Sequence, residues 1–245
     1  MTEPFIQFVD VKKSFDEKSV LKGVNLSIYK GEIIAIIGKS GCGKSVLLKH
    51  IIGLMTQDSG EILISGKNLS DLNKQEQKAF KNKLSYMFQG NALFDSLNIF
   101  DNIALPLNEN STFSKSEIKE KVKLRMHQLE IEDIEKQFPS EVSGGMQKRV
   151  ALARALIINP DIVLFDEPTT GLDPIRKKNV HIMIKEYQAK FGFTAIIVSH
   201  EIPEIFFIAQ RVAMLDNGKI LFEGSQEMLL EYNDPVAKSF IAGNE

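Results

Sequence analysis

Two segments near the N-terminus, Phe5 to Val9 and Val24 to Ile28, carry strand-like alternation of apolar and polar positions. Ile33 to Ile37 is instead a continuous apolar run, the pattern of a strand covered on both faces of a parallel sheet. It breaks at Gly38 and leads into a helical stretch, Lys44 to Leu54. Gly60 to Ser65 and Leu84 to Phe88 read as further strands, and Lys74 to Lys83 as a solvated helix face. From about Asn98 to Pro139 the chain becomes helical and charged. There Ile118, Val122, Met126 and Leu129 fall three or four apart, an amphipathic stripe. Buried-strand character returns at Ile162–Phe165 and Thr194–Ser199 around a helix, Ile175 to Lys190. A hairpin, Arg211–Asp216 and Lys219–Glu223, turns at Asn217-Gly218. The pattern predicts one α/β domain over 1–245, with a mainly parallel sheet, an antiparallel β element and an inserted helical subdomain. Residues 1–90 and 160–245 form the expected core, and about 91–159 the insertion.

A chain of 245 residues buries enough surface to fold without staples, and its single cysteine, Cys42, excludes a disulfide framework. Thirty Lys+Arg against 32 Asp+Glu gives no support to a nucleic-acid or polybasic membrane binder. No apolar run approaches the ~18–20 residues of a membrane span. The start, MTEPFIQFVDV, is acidic and does not read as a signal peptide. Any membrane contact is therefore expected through partners.

Gly38-Lys39-Ser40-Gly41-Cys42-Gly43-Lys44-Ser45 fits the G-x-x-x-x-G-K-[ST] phosphate loop between a buried strand and a helix. Glycines let consecutive N–H groups face a polyphosphate, and the helix N-terminus adds its positive end. Lys44 supplies a charge for the outer phosphates, and the Ser45 hydroxyl suits Mg²⁺. The strand Ile162–Phe165 ends in Asp166 and Glu167. Asp166 can reach the Mg²⁺ shell, and Glu167 can polarise a water attacking the γ-phosphate of ATP. Ser143-Gly144-Gly145 opens a second helix with a hydroxyl cap and flexible glycines, another cradle for an anion. Cys42, near a helix N-terminus and Lys44, is expected to favour thiolate.

These motifs, in this order, resemble the nucleotide-binding subunits of the ATP-binding cassette (ABC) superfamily of P-loop NTPases. The resemblance implies that Phe15 stacks on adenine, although alone it would read as a core aromatic. It implies that Gln89 is the Q-loop glutamine, shared between catalysis and the metal, and Val142–Met146 the signature sequence. Gly171-Leu172-Asp173 matches the D-loop, and His200 the switch histidine. It also implies a head-to-tail homodimer in which each ATP lies between one phosphate loop and the opposite signature helix. Met146 stands where most members have glutamine.

That methionine, the stretch Gln89 to Leu107 and Ser199-His200-Glu201-Ile202-Pro203-Glu204 resemble the Mla-type, mammalian-cell-entry (MCE)-associated phospholipid transporter ATPases. Such a subunit works with a membrane permease and an MCE-domain protein, peripherally on the cytoplasmic side of the inner membrane. The ATPase of a polar amino-acid importer, a soluble ABC ATPase and a non-hydrolysing nucleotide sensor are the alternatives; Glu167 argues against the last. Exposed apolar residues after a catalytic strand would be costly uncovered, so Ala92 to Ile99, with Phe100, is expected to line a groove for a permease helix.

Overall fold

The computed structural model describes residues 3–88, 90, 92–110 and 113–243. In chain order the elements are β1 (Ile6–Phe15), β2 (Lys18–Ile28), β3 (Ile33–Ile37), α1 (Lys44–Ile51), β4 (Ser59–Ile64), β5 (Lys67–Asn68), α2 (Lys74–Lys81) and β6 (Leu84–Met87). Then follow α3 (Ile99–Asn110), α4 (Lys115–Gln128), α5 (Gly144–Leu156), β7 (Ile162–Asp166), α6 (Pro174–Phe191) and β8 (Thr194–Ser199). The chain closes with β9 (Arg211–Asp216), β10 (Lys219–Gly224), α7 (Gln226–Glu231) and α8 (Pro235–Ile241).

Two sheets are built. One is antiparallel, in the order β2-β1-β4-β5; the other has six strands, β10-β9-β3-β8-β7-β6, parallel except for its β10 edge. Alternation within the six-stranded sheet explains its apolar runs. Ile34, Ile36, Leu164, Ile196 and Val198 join one core with α1 and the antiparallel sheet. Their neighbours Ile33, Ala35, Val163, Phe165 and Ile197 join the other with the helices. Both faces are covered, so every position is apolar. The expected stripe Ile118, Val122, Met126 and Leu129 is buried in that second core, as are Ile103, Leu107 and Val150. The helical segment between β6 and β7 thus shares its core with the sheet.

Strands β1 and β2 run far beyond their alternating segments. Asp10 adopts φ 46°, and the register of β1 shifts between Phe8 and Val11, a bulge that lets the strand continue to Phe15. Gly60 sits against it, where a Cβ would lie 2.3 Å from the Asp10 carbonyl oxygen. The helix expected to reach Leu54 ends at Ile51. Among the described residues no helix is long and apolar enough to cross a membrane.

Candidate functional site

Strands β3, β7 and β8 end side by side, and their carboxyl ends carry the chemistry. After Ile37 the chain turns through Gly38, Gly41 and Gly43 at φ 153°, 74° and 111° before α1 begins. A Cβ on Gly38 would lie 2.2 Å from the Leu215 carbonyl oxygen, so only glycine lets the chain leave the sheet here. Gly43 caps α1 without a side-chain hydrogen bond, which leaves the first N–H groups of the helix for an anion. Lys44 is 4% exposed, and its Nζ donates to the carbonyls of Gly38 (2.8 Å) and Lys39 (2.9 Å). The ammonium thus sits against the carbonyls of its own loop.

The Ser45 hydroxyl donates to Asp166 Oδ1 at 3.0 Å, and Tyr86 donates its phenolic hydrogen to Asp166 Oδ2 at 2.6 Å. Burial, reinforced by the hydrogen bond to Asp166, pushes the Tyr86 phenol well above its ordinary range, so it remains a donor. No group of three or more His, Cys, Asp or Glu side chains converges among the described residues. A hydroxyl beside one carboxylate suits Mg²⁺, which keeps waters and shares phosphate oxygens rather than needing a protein cage.

Glu167 has a left-handed backbone, φ 49°, fixed by its N–H donating to the Val198 carbonyl at 3.0 Å. That turn swings its carboxylate beside Asp166. Its Oε1 accepts from His200 Nδ1 and its Oε2 from the Thr170 hydroxyl, both at 3.1 Å. The segment after it is clamped from two sides. Lys148, on α5, donates to the Pro168 carbonyl at 2.9 Å, and Thr169 donates to Glu201 Oε2 at 2.8 Å. Lys177, on α6, pairs with Glu201 Oε1 at 2.7 Å.

A cavity of about 640 Å³ opens between the phosphate loop and these carboxylates. Phe15, Lys18, Ser40, Gly41, Gly43, Lys44, Ser45, Asp166 and Glu167 line it. Phe15, exposed at the end of β1, forms the rim, while Gly38, Lys39 and Cys42 belong to the loop but not to the lining. His200 stands behind Glu167. Ser143, Gly144, Gly145 and Asp173 do not line the cavity. Ser143 caps α5, its Oγ accepting from the Met146 N–H at 3.3 Å, and Asp173 caps α6, accepting from the Arg176 N–H at 3.1 Å. Gln89 lies outside the described residues.

The expectation of a thiolate at Cys42 is overturned. Cys42 packs partly buried against the core around α1, and burial raises its thiol pKa despite the Lys44 charge. Tyr86, Thr170, Lys148 and Lys177 belong to none of the motifs named above, and only the assembled fold brings them to the site.

A second cavity, about 620 Å³, lies beside the exposed edge of β6. Tyr86, Phe88, Ala92, Phe94, Pro106 and Arg154 are among its walls. Of the loop expected there, Ala92 and Phe94 line it, and Phe94 is 50% exposed. Ile99 is fully buried, and Leu93 and Phe100 pack partly buried against the core, so these three belong to the fold rather than to the groove.

A family model described as ABC transporter matches residues 21–170. The chain belongs to the ABC transporter family. As a member it binds and hydrolyses ATP. It is 36% identical over 234 residues to the intermembrane phospholipid transport system ATP-binding protein MlaF of Escherichia coli (strain K12), covering 96% of this chain and 87% of that one. It is 37% identical over 238 residues to the probable ribonucleotide transport ATP-binding protein mkl of Mycobacterium leprae, covering 97% and 69%. Among solved structures, cbiO1 from Clostridium perfringens, part of the ABC transporter complex cbiONQ, superposes with a TM-score of 0.85 at 25% identity over 97% of this chain and 95% of that one. A dimeric ATP-binding cassette in a post-hydrolysis state with ADP and Pi gives 0.76 at 32% identity, covering 90% and 98%.

Proposed function

We propose that this ATPase powers an ABC transporter moving phospholipid between membranes, as a homodimer bound to a membrane permease and an MCE-domain protein. The catalytic part of the reading rests on one observation: Glu167, held by His200 and Thr170, faces the same cavity as Lys44, Ser45 and Asp166. In it, Phe15 stacks on the adenine and Lys44 turns from its loop carbonyls to the outer phosphates. Backbone N–H groups from Gly38 to Ser45 cradle the polyphosphate. Ser45, Gln89 and Asp166 hold Mg²⁺, which when bound neutralises charge on the phosphates. Glu167 accepts a hydrogen bond from the attacking water and takes up its proton, and His200 keeps that carboxylate aimed. Ser143, Gly144 and Gly145 of one subunit close on the nucleotide held by the other, with Asp173 near that interface. Their position outside the cavity of their own chain supports this division of labour.

The cargo follows the relatives named for phospholipid transport. The groove beside β6 receives a short permease helix. Among the described residues of its walls, Lys81, Lys121 and Arg154 outnumber the acid Glu109, which favours an acidic, apolar-faced helix. In this reading about 91–159 acts as the helical subdomain that carries the groove, and the subunit sits peripherally at the cytoplasmic face of the inner membrane.

Glu167→Gln is expected to retain ATP binding, accumulate an ATP-dependent dimer on size exclusion, and lose turnover by about 10²–10⁴-fold. Activity above about a tenth of wild type would remove Glu167 from the role of base. Phe94→Asp is expected to fold and bind ATP yet no longer co-purify with the permease. In reconstituted complexes, ATP-driven movement of labelled ribonucleotide without movement of labelled phospholipid would overturn the cargo.

A further inference from the structure

Tyr86 lines the groove and hydrogen-bonds Asp166, which lines the nucleotide cavity. Strand β6 pairs with β7 so that Tyr86 lies opposite Leu164, and Asp166 is two residues further along the same face. A long side chain reaches that diagonal neighbour, and the phenol donates to Asp166 Oδ2 at 2.6 Å. Because β6 is the sheet's edge, the other side of the ring is not covered by a strand and forms part of the groove wall. Phe88 braces the ring there, with centroids 4.5 Å apart and planes tilted by 47°. Phe88 is 52% exposed and lines the groove but not the nucleotide cavity.

We propose that Tyr86 is a positioning residue: its hydroxyl fixes one oxygen of Asp166 so that the other meets Ser45 and the metal, and Phe88 transmits the state of the groove to that contact. The proposal rests on the reading of Asp166 and Ser45 as metal-holding residues. The chemistry is that of a carboxylate oriented by an outer hydrogen bond, where loss of the outer partner costs about 10–100-fold in metal affinity. Tyr86→Phe removes only the hydroxyl and keeps the ring. Phe88→Ala removes the brace from the groove side.

The probe is Mn²⁺ titrated by electron paramagnetic resonance into the full chain with a non-hydrolysable ATP analogue, alongside nucleotide binding in EDTA. Tyr86→Phe is expected to raise the Mn²⁺ concentration at half saturation by about tenfold while metal-free nucleotide binding stays at the wild-type level. Phe88→Ala should shift the same quantity in the same direction, and the double variant should shift it no further than Tyr86→Phe alone. An unchanged Mn²⁺ titration in Tyr86→Phe overturns the positioning role, as does an equal loss of binding with and without metal. A wild-type titration in Phe88→Ala overturns the link to the groove. Asp166→Asn separates the two readings. If it leaves Mn²⁺ binding intact, the metal site itself is misassigned; if it abolishes Mn²⁺ binding while Tyr86→Phe does not alter it, only the present inference falls.

Discussion

Lys177→Met would cut the ion pair that anchors the strand-end loop carrying His200. Glu201 and Lys177 have side chains only 13% and 20% exposed, and their atoms are 2.7 Å apart. Burial pushes the Glu201 carboxyl up, but the hydrogen bonds from Lys177 and Thr169 outweigh it, and the net pKa lies below the ordinary carboxylate value. A depressed folded pKa means stability that is fully present above the unfolded pKa, about 4.3, and lost as the pH falls through the folded value. Methionine keeps the stem's apolar packing but leaves Glu201 with the Thr169 hydroxyl alone. A hydrogen bond to a charged group contributes about 1.5–3 kcal/mol, so that is the expected loss near neutral pH. For a domain of this size it corresponds to a Tm lowered by roughly 3–12 °C. The assay is thermal unfolding of both proteins between pH 8 and pH 3. The gap should be constant near neutrality and narrow as the pH falls below about 4.3 and through the folded Glu201 value. His181, one turn along α6 and kept neutral mainly by burial, adds an acid sensitivity to both proteins. An unchanged Tm at pH 7.5, or a gap that stays the same down to about pH 3, would refute the reasoning.

Gly38→Ala should fold poorly or lose nucleotide binding, because its Cβ would stand 2.2 Å from the Leu215 carbonyl oxygen, read as Tm and ATP affinity together. Wild-type values for both would mean that the loop relaxes freely. Cys42 should alkylate more slowly at pH 7.5 than a small free thiol, with a rate still climbing above the ordinary thiol range, because burial disfavours its thiolate. A rate faster than the free thiol's would restore the activated-cysteine reading.

The phosphate loop, the carboxylate pair and the Ser-Gly-Gly helix start were all legible from neighbouring residues. Their chemistry depends on local backbone freedom and on the strand or helix that follows. The apolar runs at Ile33–Ile37 and Ile162–Phe165 likewise announced strands covered on both faces, and the stripe from Ile118 to Leu129 announced its buried helix face. What stayed hidden depends on register. The Asp10 bulge carries β1 on to Phe15, past the point where alternation in the sequence stops. Tyr86 meets Asp166 only because β6 and β7 align with Leu164 opposite Tyr86. Lys177 meets Glu201 only because α6 packs beside the end of β8. The same holds for Cys42, whose pKa follows the packing around it rather than the helix and lysine beside it in sequence, and for Leu93 and Phe94, adjacent residues of which one joins the core and the other faces the groove. Periodicity and turn chemistry are properties of adjacent residues, so the sequence carries them. The pairing of distant strands and helices is set by how whole faces are buried together, and only the folded chain decides which side chains then meet.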